Sequence, residues 1–153
     1  MSNIRWFKPG RLPRYPHQGA FSAQLFNRFW DNCPWHVVSV AYDVPVGNGR
    51  DTLPGTSPEL QKDWTYLSSL KIDMLLELST SYIICEIKDL LNPELVGQLQ
   101  IYSHLLDPSF RNAKPIELCA IASAAHPDVM QYCQSHNITV LIYPLQYVTT
   151  STT

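Results

Sequence analysis

The sequence predicts an α/β domain, a mixed central β-sheet flanked by helices. Three stretches carry apolar residues at helical spacing, and five others alternate or run apolar as strands do. Their order is α-β-β-β-α-β with a further helix and strand at the C-terminal end. An antiparallel meander followed by crossover connections gives a sheet of mixed direction.

Each element has its own signal. Residues 1–20 are rich in Pro, Arg and aromatics, and the proline spacing forbids a regular helix, so they read as an extended arm. Ala20 to Trp30 places Phe21, Leu25, Phe26 and Phe29 on one stripe, a first helix. Val37 to Val46 is β-branched and alternating, a first strand. Gly47 to Pro58 holds Gly-Asn-Gly and Pro-Gly and reads as a loop. Trp64 to Leu78 reads as a second strand, bent near Ser68-Ser69, and Tyr82 to Lys88 as a third. Asn92-Pro93-Glu94 is a helix start, with Asn92 as N-cap and Pro93 at the first helical position, and that helix reaches about Leu106. Ile116 to Ala124 is continuous and apolar, as buried strands are. Pro127 to His136 is a short helix and Ile138 to Leu145 the last strand. The arm is thus followed by one domain over 21–147 and a Thr-rich tail over 148–153.

Composition narrows the class. With 153 residues and 45% hydrophobic content, one domain can bury a real core. No apolar run is long enough for a membrane span and the N-terminus lacks a signal-peptide pattern, so no membrane is expected. Cys33, Cys85, Cys119 and Cys133 lack the paired spacing of a zinc site and read mostly as small core hydrophobes in a reducing, intracellular setting. The histidines, scattered at 17, 36, 104, 126 and 136, suit surface or capping roles. Net charge is only −2, so the chain is no bulk polyanion binder, yet the arm carries Arg5, Lys8, Arg11 and Arg14 and no acid.

Asp73, Glu86 and Lys88 are the residues that point to chemistry. They stand in consecutive apolar runs, Lys71 to Leu78 and Tyr82 to Lys88, joined by Ser79-Thr80-Ser81. Period two puts Glu86 and Lys88 on one face and Ile83, Cys85 and Ile87 on the other. Pairing through the short turn brings two carboxylates and an ammonium to one end of the sheet. Charge is costly on a strand that reads as core, which marks a site; the plainer alternative is a solvated sheet edge with an ion pair. Glu77 shares the parity of Asp73 but lies roughly 13 Å along the strand, too far for one metal shell.

This pattern resembles the PD-(D/E)XK nuclease superfamily, whose restriction-endonuclease-like fold has the core order α-β-β-β-α-β. The family motif is an Asp at the start of one strand and Glu/Asp-x-Lys on the next, here Asp73 with Glu86-Ile87-Lys88. Asp73 follows Ile72 rather than Pro. Gln98-Leu99-Gln100-Ile101-Tyr102 looks like the Gln-x-x-x-Tyr element of RecB-type members. The resemblance implies Mg²⁺, with Mn²⁺ as a substitute, held by Asp73, Glu86 and the carbonyl of Ile87. It implies that Lys88 orients water or stabilises phosphate charge, and that Gln98 and Tyr102 face the site or the substrate. The first helix offers Gln24 where many members carry an acid, so the likeness does not extend to a second metal site. Asp89 can hold Lys88 or cap the strand end.

Two functions follow as expectations. One is a metal-dependent DNA endonuclease or exonuclease, acting as a homo-oligomer, with Arg5, Lys8, Arg11 and Arg14 on the substrate backbone. The other is a structural or assembly protein on the same fold, for example a phage virion or neck component, whose arm wraps a neighbouring subunit. The first places the chain in the cytoplasm, the second within a virion.

Overall fold

A computed structural model describes residues 3–146, apart from the side chain of Tyr66; the Thr-rich tail lies outside them. The elements are β1 (Trp6–Phe7), α1 (Ala20–Asp31), β2 (Ser39–Val46), α2 (Pro58–Ser68), β3 (Leu70–Glu77), β4 (Tyr82–Leu91), α3 (Pro93–Leu105), α4 (Pro108–Ala113), β5 (Ile116–Ala125), α5 (Pro127–Ser135) and β6 (Ile138–Ile142). One six-stranded sheet holds all the strands in chain order. Pairing is antiparallel from β1 to β4 and parallel from β4 to β6. The expected mixed sheet with flanking helices is present.

Both faces of the sheet are buried. Leu95, Val96 and Leu99 of α3 and Cys133 of α5 pack on one face with Ile84, Leu75, Ala120 and Ala122. Phe26 and Phe29 of α1 pack on the other with Val40, Met74, Ile83, Cys85 and Ile121. β4 alternates cleanly between the two, so Glu86 shares the α3 face with Ile84. β2 and β3 do not. Val40 and Tyr42 face α1, whereas Val44 and Val46 face α3. Likewise Met74 faces α1 and Ile72 the α3 side. The pleat of both strands therefore reverses between register pairs Tyr42↔Met74 and Val44↔Ile72, at Asp43 and Asp73. Asp43 accomplishes this with a left-handed backbone, φ 52°, which costs a non-glycine residue about 1–2 kcal/mol.

Several elements differ from the sequence expectation. The stretch expected as one bent strand from Trp64 is divided: α2 ends at Ser68 and β3 begins at Leu70. Its start has the same grammar as α3. Ser57 accepts the Leu60 N–H at 3.3 Å and precedes Pro58-Glu59, as Asn92 accepts the Leu95 N–H at 3.0 Å and precedes Pro93-Glu94. Aromatic and apolar residues around Trp64 mimic a strand, but the cap decides for helix. Gly49, at φ 69°, lets the preceding loop dock on α2, for a Cβ there would stand 2.8 Å from the Thr65 carbonyl. α4 is an additional short helix, and β6 stops three residues before Leu145.

The N-terminal arm is extended, and its own domain holds it. Trp6–Phe7 adds an edge strand to β2. Tyr15 is 3% exposed, stacks on Phe26 at 4.6 Å and donates its hydroxyl to Asn27 at 2.7 Å. Burial of such a ring is worth roughly 1.5–3 kcal/mol, so the arm needs no neighbouring subunit to be ordered.

The four cysteines are unpaired, with Cys85, Cys119 and Cys133 buried. Among the described residues no helix is long and apolar enough to cross a membrane. Replacing the α3 cap, Asn92→Ala, is expected to lower stability by about 1 kcal/mol. Urea unfolding followed by circular dichroism checks this, and an unchanged midpoint would deny the cap its role.

Candidate active site

β3 and β4 pair normally from Glu77↔Tyr82 up to Met74↔Cys85, and there backbone pairing ends. Beyond that point two carboxylates replace the missing carbonyl acceptors. The Asp73 N–H donates to Glu86 Oε1 at 3.0 Å, and the Ile87 N–H donates to Asp73 Oδ2 at 2.9 Å. The strands then part. β3 continues only against β2, through Val44↔Ile72 to Val46↔Leu70, and β4 only against β5, through Glu86↔Ala120 to Leu91↔Ala125. Asp73 and Glu86 sit in the resulting fork. Strand parity alone could not place Asp73 there, because the pleat reversal at that residue breaks the period.

The pair is electrostatically unusual. Glu86 is 3% exposed. Burial and then the Asp73 charge push its carboxyl up to about 9, against the pull of the Asp73 N–H. Burial also raises Asp73, opposed by hydrogen bonds from Ile87, Glu86 and Gln18. Burial and mutual repulsion thus favour one proton shared by the pair, as expected when two acids lie side by side in a buried site.

The third motif residue is close but differently engaged. Lys88 lies one strand repeat beyond Glu86 on the same face, roughly 7 Å along the backbone. Its Nζ meets Glu94 Oε2 of α3 at 2.7 Å. Asp89, expected as its possible partner, instead accepts the Leu90 N–H at 2.9 Å. Glu94, Gln98 and Tyr102 recur at every fourth position of α3 and so form one row, which runs from exposed Glu94 to buried Tyr102. The Tyr102 phenol is raised by burial first and then by the Glu86 and Asp73 charges, while a hydrogen bond with Gln98 opposes this. The row faces the carboxylate fork, with Tyr102 at 7% exposure behind the half-buried Gln98.

Residues before α1 close the site from the other side. Gln18 Nε2 donates to Asp73 Oδ1 at 3.3 Å, and His17 Nε2 lies 3.5 Å from Asp43 Oδ2. Asp43 adds to the upward pressure on Asp73. Sequence reasoning missed Asp43, His17, Gln18 and Glu94. Only Glu94 had a legible signal, as it shares the helix face of Gln98. The basic arm is split: Arg5 sits over the Phe7 ring at 4.7 Å, Arg11 makes a two-pronged ion pair with Asp31, and Lys8 and Arg14 are exposed. Glu77 is remote, tied to Lys114 at 2.9 Å and Ser39 at 2.7 Å. Gln24 is exposed on α1.

Among the described residues no group of three His, Cys, Asp or Glu side chains is arranged to hold a metal ion. The fork still offers two carboxylates whose repulsion a shared proton now relieves, and a divalent cation is the other way to relieve it. Mg²⁺ needs only one or two carboxylates when water and phosphate complete its shell. The donor set therefore fits Mg²⁺ or Mn²⁺ held by Asp73 and Glu86.

Compared with protein-family models, curated proteins and solved structures, the chain matches none.

A pH dependence follows from the pair. Glu86 titrates near 4.5 when unperturbed and near 9 in the fold, so between those values the folded state binds the extra proton. Metal-free stability is then greatest at the acid end of that window and falls as pH rises through it. Glu86→Gln should flatten the slope. Urea titrations in EDTA at both ends of the window measure it, and a wild-type stability independent of pH there would contradict the shared proton.

Proposed function

We propose that this chain is a metal-dependent deoxyribonuclease of the PD-(D/E)XK type, with a restriction-endonuclease-like fold. The observation that carries the reading is the fork, where Asp73 and Glu86 meet as strand pairing between β3 and β4 ends. Support comes from Lys88 beyond them and from the Gln98–Tyr102 row of α3.

Asp73 and Glu86 would hold Mg²⁺, with the Ile87 carbonyl as a further oxygen donor. Bound there, the ion would offset phosphate charge and make water a stronger nucleophile. The chain's own residues do the rest. The Ile87 N–H and Gln18 orient Asp73. Lys88, released from Glu94, places an ammonium against the charge that grows on the phosphate. Its present ion pair is 28% and 65% exposed at the two side chains, a class of contact worth about 0–1 kcal/mol. A phosphate can therefore outcompete Glu94. Gln98 meets the substrate, and buried Tyr102 steadies Gln98.

Lys88→Ala is expected to reduce Mg²⁺-dependent cleavage of supercoiled plasmid at least ~100-fold with the circular dichroism spectrum unchanged. Mg²⁺ should raise the melting temperature of wild type and Lys88→Ala but not of Glu86→Gln. Undiminished cutting by Lys88→Ala would end this assignment.

A separate observation favours the assembly reading. α2 and its preceding loop expose Leu53 (81%), Leu60 (62%), Trp64 (44%) and Leu67 (72%). These residues line a cleft of about 360 Å³. Clustered exposed apolar side chains mark contact surfaces, and here they suit a structural protein of the same fold, for example a virion component. On this reading sedimentation finds an oligomer that Leu67→Glu dissociates. A wild type that stays monomeric at high concentration would count against it.

A further inference from the structure

A cleft of about 520 Å³ lies between the segment before α1, the outer side of β2 and α2, with Arg5, His17, Asp43 and Lys62 in its walls. The chain as a whole is slightly acidic, net −2, yet this cleft gathers two permanent cations and a histidine against one acid. That acid is already engaged, since Asp43 faces His17 at 3.5 Å. Arg5 is fixed over the Phe7 ring at 4.7 Å, whereas Lys62, exposed on α2, makes no ion pair among the described residues.

Three further features bear on what the cleft holds. His17 and Asp43, which touch each other, both have left-handed backbones, φ 54° and 52°, a conformation that costs non-glycine residues and collects at functional sites. The residue after His17 is Gln18, which binds Asp73, so the cleft wall leads directly to the carboxylate fork. Finally, the cleft adjoins a second one, of about 620 Å³, with Pro45 and Lys62 common to both walls. The trough so formed gains Asp107 and no further cation from the second cleft, so its basic groups, Arg5, His17 and Lys62, all line the first, where they suit the phosphates of a polyanion.

We propose that this trough seats the sugar–phosphate backbone of a nucleic-acid substrate, with Arg5, His17 and Lys62 on its phosphates and Asp43 holding His17 in place. The inference rests on the nuclease reading and deepens it: it assigns the substrate path to the surface between the arm and α2, and gives Arg5 a role that Arg11, paired with Asp31, does not share.

The test is fluorescence polarisation of the full chain with a labelled DNA duplex in EDTA, across a range of salt. Arg5→Ala and Lys62→Ala should each weaken binding several-fold and lower the slope of log Kd against log salt by about one. Lys62→Glu should weaken it further. Arg28→Ala, exposed on α1 and outside the trough, serves as the control and should bind as wild type. Because Lys62 makes no ion pair among the described residues, its variants report binding even if Arg5→Ala proves unstable in a thermal melt. Wild-type affinity in both Lys62 variants, with cleavage of plasmid intact, overturns the trough and leaves the nuclease standing. Absence of both DNA binding and cleavage in the wild type removes the two together.

Discussion

The contact between Asp73 and Glu86 is the constraint around which the rest is arranged. Two carboxylates stand where a ladder of carbonyls would otherwise continue, and each accepts a backbone N–H from the other strand's side of the fork. An N–H left unpaired in this interior would cost about 1–3 kcal/mol, so the acids are structural acceptors as well as candidate ligands. Among the described residues no buried side-chain polar atom is left without a partner. The split of the sheet follows from the same contact. Once side chains occupy the space between β3 and β4, β3 can continue only with β2, and β4 only with β5.

What surrounds the fork differs in how firmly it is held. Glu86 is buried and Asp73 half-buried, and both carboxylates are held by backbone N–H groups. Lys88 and Glu94 meet near solvent, where salt and water weaken attraction. A rigid pair of acids beside a readily redirected ammonium suits a site that must bind and release an anion. The left-handed Asp43 reverses the β2 pleat and brings its carboxyl under His17. One strained residue thus serves both the bend of the sheet and the wall of the site.

The two functional readings draw on separate surfaces. The nuclease reading uses the fork, the α3 row and the trough beside β2. The assembly reading uses the exposed apolar residues of α2 and its preceding loop. Lys62 lines the trough, whereas Leu60, Trp64 and Leu67 line the other cleft together with Asp51 and Asp63.

Much of this was legible in the residues themselves, for a local reason. The Asn92 cap, the stripe of α1 and the alternation of β4 depend on neighbours along the chain, so the sequence by itself determined those elements, the order of strands and the shared face of Glu86 and Lys88. It also carried the start of α2 in Ser57-Pro58-Glu59, although the aromatic run that follows reads equally well as a strand. Other features had no local signal. Nothing near Asp43 in sequence announces a reversed pleat, since that reversal exists only because β2 and β3 turn over together. Gln18 and Asp73 meet across most of the first half of the chain. The pairing of Lys88 with Glu94 required α3 to return over β4. Only the tertiary structure decided these, because burial and charge at the fork are properties of what packs around a residue, and period and composition report only its neighbours along the chain.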